Sequence, residues 1–286
     1  MITSMKHRNQ PCSVDTAELG KHGHTPRLTP TSASNMPVLY PRYARHLSLQ
    51  NFGEAAQSRL AHSGALIVGL GGLGSAAAVY LAAAGIGRLV LADFDRVDET
   101  NLQRQILYRM KDVGRRKTQA ASAALLALNP TLEVEELDGR LADSKLASAI
   151  SQCDIVIDGS DNFATRAAVN QACLARRRPL VSGAALRWEG RLAVFDLRED
   201  DSPCLACLHP DMSESLETCE RGGVLGPLVG VIGSLQAVEA LKLLTGTGTP
   251  MSGRLLRYTA RSGRFSEFSI GRRADCPACR DRPATG

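Results

Sequence analysis

The sequence predicts an α/β fold: a Rossmann-like, doubly wound sheet with a C-terminal β extension stapled by a four-cysteine zinc site. Three observations carry that expectation. Short apolar runs alternate with helix-like segments from about residue 37 onward. A glycine-rich turn, Gly69-Leu70-Gly71-Gly72-Leu73-Gly74, joins the first apolar run to the first helix-like segment. Two Cys-x-x-Cys pairs, at Cys204/Cys207 and Cys276/Cys279, lie late in the chain.

Each element has a local reason. Ala65–Leu70 is a short apolar run that ends in glycines. Leu73–Ala84 is alanine-rich and closed by Gly85 and Gly87, a helix-stop signal. Arg88–Asp95 reads as a strand ending in acids. Lys117–Leu128 reads as a helix stopped by Asn129-Pro130, because proline disfavours helical geometry in the residue before it. Leu132–Leu137 and Cys153–Asp158 read as strands, and Ser144–Ser151 and Asn162–Arg176 as helices. This alternation implies a parallel sheet with helices on both faces. Leu180–Leu186 and Gly190–Leu197 look like further strands, and Leu228–Leu244 like a long apolar helix. Arg254–Ala260 and Arg264–Ile270 resemble a closing hairpin.

Composition bounds the rest. The chain has 286 residues, 44% of them hydrophobic and 22% charged, an ordinary globular balance. No repeat or linker divides it after residue 40, so residues 37–286 are expected to form one domain. Residues 1–36 are rich in Ser, Thr, Pro, Gly and His and read as a disordered tail, a transit peptide, or an over-extended start ahead of Met36. Lys and Arg exceed Asp and Glu by 34 − 29 = 5, and aromatics are 4%, which argues against nucleic acid as a partner. No charge-free run of 18 apolar residues predicts a membrane span, and no apolar leader is present. A cytoplasmic, reducing location is expected, where the eight cysteines would be thiols or metal ligands.

The glycine turn follows a strand and opens a helix, the context a nucleotide-binding fingerprint requires. Glycines let the backbone approach phosphate oxygens, and a helix N-terminus offers unpaired N–H groups with partial positive charge. Asp93, 19 residues beyond Gly74, is placed to accept bonds from ribose hydroxyls. Alone this pattern says only "nucleotide", with NAD the default. Asn101, Arg104, Lys117, Asp158 and Asp161 change the balance, because ligands bind at the carboxyl ends of strands in open α/β sheets. Cations and a Mg²⁺-binding carboxylate suit a triphosphate better than a dinucleotide. Lys117 taken by itself reads first as a solvated surface charge; the joint placement of these residues on one edge weakens that reading.

Four thiolates in two pairs suit a closed tetrahedral zinc site, structural rather than catalytic; a redox pair would not need a second copy. Cys153 and Cys173 fall in apolar segments and read as core, and Cys12 falls in the tail. Cys219 sits beside Arg221 in a polar, glycine-rich stretch and reads either as a nucleophile or as an inert exposed thiol.

Taken together, Arg42-Tyr43-Ala44-Arg45, the Gly69–Gly74 turn, Asp93-Phe94-Asp95, Asn101–Gln105, Lys117, Asp158–Asn162, the cysteine pairs and Cys219 resemble the ubiquitin-activating-like adenylyltransferases of the ThiF, MoeB and HesA group. The resemblance runs from about Arg42 to Cys279. It implies ATP and Mg²⁺ as substrate and cofactor, and adenylation of the C-terminal glycine of a small ubiquitin-like sulfur carrier ending in Gly-Gly. A sulfur donor then attacks the acyl-adenylate. It implies that Gly69, Gly71, Gly72 and Gly74 approach the nucleotide and that Asp93 holds its ribose. Asn101, Arg104 and Lys117 would contact phosphates, and Asp161, with Asn162 beside it, would bind Mg²⁺. Arg45 would reach a partner's ATP in a homodimer. Cys219 matches the family's candidate thiol. Val181–Ala185 and Arg187–Gly190 look more like the molybdopterin branch, with the thiazole branch second. An NAD-dependent oxidoreductase and a non-catalytic binding module remain the rival classes.

Overall fold

A computed structural model describes residues 40–141, 143–210 and 222–282. The tail expected over residues 1–36, Cys12 and Cys219 lie outside the described residues.

Strands β1 (Gly64–Val68), β2 (Arg88–Asp93), β3 (Glu133–Asp138), β4 (Ile155–Asp158) and β5 (Leu180–Leu186) pair in parallel. Strands β6 (Glu189–Phe195), β7 (Arg254–Thr259) and β8 (Arg264–Ser269) continue the sheet antiparallel, in the order β3-β2-β1-β4-β5-β6-β7-β8. The parallel sheet expected from the alternating segments is present in five strands, and the expected closing hairpin is the antiparallel pair β7–β8; the sequence left open the orientation of β6, which is antiparallel. The cause is local: only Arg187 and Trp188 join β5 to β6, with Arg187 at φ +53°. A parallel crossover needs a dozen residues or more, so a two-residue link forces a hairpin.

The central strands are apolar throughout because both faces are covered. In β1, Ala65 and Ile67 enter one core while Leu66 and Val68 enter the other. β2 divides in the same way, Leu89 and Leu91 opposite Val90 and Ala92. The first core is closed by α2 (Gly53–Ala61), α3 (Gly72–Ala84), α4 (Lys117–Leu128) and α8 (Gly226–Thr245). The second is closed by α5 (Asp143–Ser151), α6 (Phe163–Arg176) and the short α7 (Leu205–Leu208). Fully burying one such Leu or Ile is worth about 1.5–3 kcal/mol.

Helix α8 is long and apolar enough to cross a membrane by length and composition, yet 56% of its most apolar window is buried within the fold. It carries Glu239 and packs on α3 and the sheet. Its Gly233 meets α3 so closely that a Cβ there would lie 2.4 Å from the Leu73 carbonyl oxygen. The N-terminal α1 (Tyr40–Leu47) and α2 were not anticipated from the sequence. Tyr43 of α1 covers the C-terminal cap of α3, where Gly85 has φ +92° and a Cβ would lie 2.5 Å from the tyrosine ring. The Asn129 side chain donates to the Ala82 carbonyl and to Tyr43 Oη, at 2.9 and 3.3 Å.

Candidate active site and thiolate centre

Strand order places β1 between β2 and β4, so the loops leaving β1 and β4 diverge and open a crevice at the switch point. A cavity of about 1380 Å³ occupies it. Its wall includes Gly69, Gly71, Gly72, Asp93, Asn101 and Arg104, and, further round, Lys117, Asp161 and Asn162. Nine of the residues expected to meet a nucleotide thus share one cavity.

The glycine turn is built for close approach. Gly69 has φ +84° and its N–H donates to the Ala92 carbonyl, which ties the turn to β2. Gly71 caps α3 without a side chain to satisfy the first helical N–H groups, which leaves them for an anionic ligand. Gly74 does not line the cavity. A Cβ there would lie 1.8 Å from the Gly69 carbonyl oxygen, so its role is to let α3 pack on the turn. Tyr108 Oη donates to the Leu70 carbonyl at 2.8 Å and fixes the turn from the far side.

Asp93 accepts from the Leu70 N–H at 2.6 Å and the Asp95 N–H at 2.8 Å. Burial pushes its carboxyl above the usual aspartate value, while Lys117 and the two N–H groups pull the other way. Lys117 starts α4, is 5% exposed and pairs with Asp95 at 2.9 Å, so it is a held cation rather than a solvated surface charge. Arg104 donates to the Thr100 carbonyl at 3.0 Å, which anchors the 3-10 turn Glu99–Asn101 beside it.

Asp158 is not a ligand candidate, contrary to its place at the strand end. It is fully buried and accepts from the Ser160 N–H, the Ser160 hydroxyl and the Ser182 hydroxyl, at 3.0, 2.6 and 2.8 Å. Asp161, three residues on, is exposed on the cavity. Asn162 lines the cavity too, but its side-chain Oδ1 caps α6 by accepting from the Thr165 N–H at 2.9 Å. Arg45 is exposed on α1 and does not line this cavity.

Sequence reasoning missed two supports. Arg166 is buried one turn into α6 and donates to the Ser160 and Gly183 carbonyls, at 2.5 and 2.8 Å, so it clamps the Asp161 loop to β5. Gln105 is 3% exposed and lines the cavity, with Oε1 lacking a partner among the described residues. Arg166 has no spacing signal; Gln105 was visible only as the last residue of Asn101–Gln105.

The second region is the thiolate cluster. Cys204, Cys207, Cys276 and Cys279 are all buried, with their sulfurs within 4.8 Å of one another. The Sγ–Sγ separations include 3.5, 3.7 and 4.0 Å. Four sulfurs each about 2.3 Å from one zinc sit roughly 3.8 Å apart, so the donor set fits that ion. The Cys204 thiol shares its proton with Cys207, which holds Cys204 high and Cys207 low. The Arg273 N–H donates to Cys207 Sγ at 3.5 Å, and the Asn170 side chain accepts from the Leu205 N–H at 3.0 Å. Arg272 donates to the Asp200 and Cys279 carbonyls, lacing the C-terminal segment to the turn that follows β6. Cys153 and Cys173 are buried core, as expected; burial pushes the Cys153 thiol up to about 12.

Residues 43–278 match the model of the ThiF family. The chain belongs to the ThiF family. It is 45% identical over 238 residues to the molybdopterin-synthase adenylyltransferase of Escherichia coli, covering 83% of this chain and 95% of that one. It is 42% identical over 240 residues to the sulfur carrier protein ThiS adenylyltransferase of the same organism, covering 84% and 95%. A crystal structure of E. coli MccB with ATP superposes with a TM-score of 0.73 at 24% identity, covering 85% of this chain and 76% of that one, a likeness of fold. This ThiF-family chain is an adenylyltransferase, a nucleotidyl-transferring enzyme.

Proposed function

We propose that the chain uses ATP to adenylate the C-terminal glycine of a small ubiquitin-like sulfur carrier, releasing pyrophosphate, as the activation step of molybdopterin formation. The observation that carries this reading is the meeting of Arg104, Lys117 and Asp161 with the glycine turn in one switch-point cavity of a ThiF-family chain.

A carboxylate resists attack because oxide is a poor leaving group; a mixed anhydride with AMP supplies a good one. The carrier's carboxylate is already ionised, so no general base is needed, and the task is positioning plus neutralisation of charge. The free N–H groups of α3 would take the α-phosphate, and Asp93 the ribose. Asn101, Arg104 and Lys117 would hold the outer phosphates, Lys117 exchanging part of its bond to Asp95 for them. Asp161, with Asn162 beside it, would hold Mg²⁺, which when bound neutralises the departing pyrophosphate. Gly69, Gly71 and Gly72 would line the nucleotide, and Gly74 would support them.

Zinc at the four cysteines is proposed as structural. A homodimer in which Arg45 reaches the partner's ATP, a sulfur donor protein, a covalent role for Cys219 and a cytoplasmic location belong to the same reading. So does a single domain over residues 37–286. The thiazole carrier is the second reading, supported by the 42% identity to a ThiS adenylyltransferase.

With ATP, Mg²⁺ and a carrier ending in Gly-Gly, the protein should release pyrophosphate, and Asp161→Ala should abolish that release. Silence with every cognate carrier, or thermal stabilisation by NAD and not by Mg-ATP, would defeat the reading.

A further inference from the structure

We propose that the cavity-facing side of the antiparallel extension is a cationic landing face that selects carriers with an acidic docking side. The inference rests on the adenylation reading and adds the surface chemistry of the partner.

Strand register lays out the face. Ala193, Leu255 and Phe268 stand side by side across β6, β7 and β8. The next row on that side is Arg191, Arg257 and Ser266, and the next is Glu189, Thr259 and Arg264. Glu189, Arg191, Ala193 and Leu255 also line the reaction cavity, so this side of the sheet runs from the cavity to the edge strand. A carrier whose terminal carboxylate enters the cavity must rest its body against the surface around the opening.

That surface bears three guanidinium groups against one carboxylate. Arg191, Arg257 and Arg264 form no ion pair among the described residues, whereas Glu267 is held by Arg254, both on the opposite side of the sheet, at 3.0 Å. Arg257 lies 5.5 Å over the Phe268 ring, and its buried Nε has no hydrogen-bond partner. Covering unpaired cations with a neutral partner strips their water without compensation; covering them with carboxylates supplies it. Complementary charge also steers encounter and sets partner choice. With Phe268 the only ring in those three rows, the face lacks the interleaved aromatics that bind single-stranded nucleic acid.

The test uses the full chain and two versions of one ubiquitin-like carrier ending in Gly-Gly. One version is acidic; the other has its surface carboxylates outside the tail replaced by Asn and Gln. Affinity by calorimetry and the carrier KM for pyrophosphate release are measured at low and high NaCl. The acidic version should bind roughly tenfold tighter at low salt, with the advantage shrinking as salt screens the charges. Arg257→Gln with Arg264→Gln should weaken binding of the acidic carrier about three- to tenfold and flatten its salt dependence, leaving kcat and the ATP KM unchanged. Lysine at both positions should restore most of the loss.

Equal binding of both carriers by the parent chain, or an unaltered salt dependence in the double glutamine variant, would overturn the proposal. So would an oligonucleotide that binds this face more tightly than the acidic carrier. Charge-selective binding with no pyrophosphate would support the landing face and defeat the adenylation reading. Pyrophosphate released from both carriers at one KM would do the reverse.

Discussion

The glycine-turn cavity and the thiolate cluster lie on one fold and use opposite designs. The cavity keeps polar groups open to a ligand: the N–H donors at the start of α3, the exposed carboxylate of Asp161 and the unpartnered acceptor Oε1 of Gln105. The cluster is closed, with four sulfurs buried within one ion's reach and backbone groups turned toward them. An open site must exchange its ligand at each turnover, so its scaffold has to be held by other means. Asp158, Arg166 and Tyr108 do that beneath the cavity. A closed site can be tied by its own ligand, and here the four cysteines bring the segment around Cys276 and Cys279 against α7.

The sharpest way to break this comparison is Cys276→Ser. A structural zinc contributes on the order of 10 kcal/mol of folding free energy, comparable to the whole net stability of a typical domain. Elemental analysis should find about one zinc per chain in the parent, because one closed set of four thiolates holds one ion. The variant should lack it and fail to accumulate as folded protein. Stripping the parent with a strong chelator should lower its melting temperature far more than any cavity substitution does. A metal-free parent with an unchanged melting temperature would erase the distinction between the two regions.

How much of each region the sequence disclosed follows from how each is built. The glycine turn was legible because the close passage of α3 over the turn admits only glycine at fixed spacing, and the cysteine pairs because two Cys-x-x-Cys repeats are a compact way to present four soft donors. Strands β1, β2 and β4 were legible because burial on both faces leaves uninterrupted apolar runs. Helices α1 and α2 were not: α2 buries only Ala56, Gln57 and Leu60, too little to mark a face. The antiparallel turn at Arg187-Trp188 lacks the usual glycine or asparagine, so the positive φ of Arg187 had no local signal. Asp158 and Asp161 look equivalent in sequence. Only the Ser182 hydroxyl, arriving from β5, shows that one is a buried bracket and the other faces the cavity.

Gly74→Ala tests whether the cavity's scaffold is as rigid as the cluster. The new Cβ would lie 1.8 Å from the Gly69 carbonyl oxygen and 3.1 Å from Ile67 Cγ2, so backbone must move. Relief by sliding α3 is opposed by α8, which already touches the Leu73 carbonyl through Gly233. Overpacking of this kind costs about 1–3 kcal/mol, which for a chain of this size lowers the melting temperature by roughly 2–5 °C. The turn itself is displaced, so the ATP KM should rise by at least tenfold while zinc content stays at the parent level. Parent-like ATP affinity would show that the turn tolerates movement.

Asp93→Asn makes the smallest change and separates the cavity's two demands on one side chain. Burial raises the carboxyl above its ordinary 3.8, so the folded state holds its proton more tightly than the unfolded state does. The resulting stability is complete below that ordinary value and is lost as pH rises through the raised folded value. Asparagine has no proton to lose, so its variant should not show that decline. It also has one oxygen where the carboxylate uses two, for the Leu70 and Asp95 N–H groups, and dropping one such bond costs about 1 kcal/mol at every pH. The variant should therefore melt below the parent near pH 4, with the gap narrowing toward neutral pH. On the proposed role of Asp93 as a ribose acceptor, the variant's ATP KM should still rise several-fold. A gap that widens with pH would mean that Lys117 and the two N–H groups outweigh burial, and that Asp93 stabilises the fold as an anion.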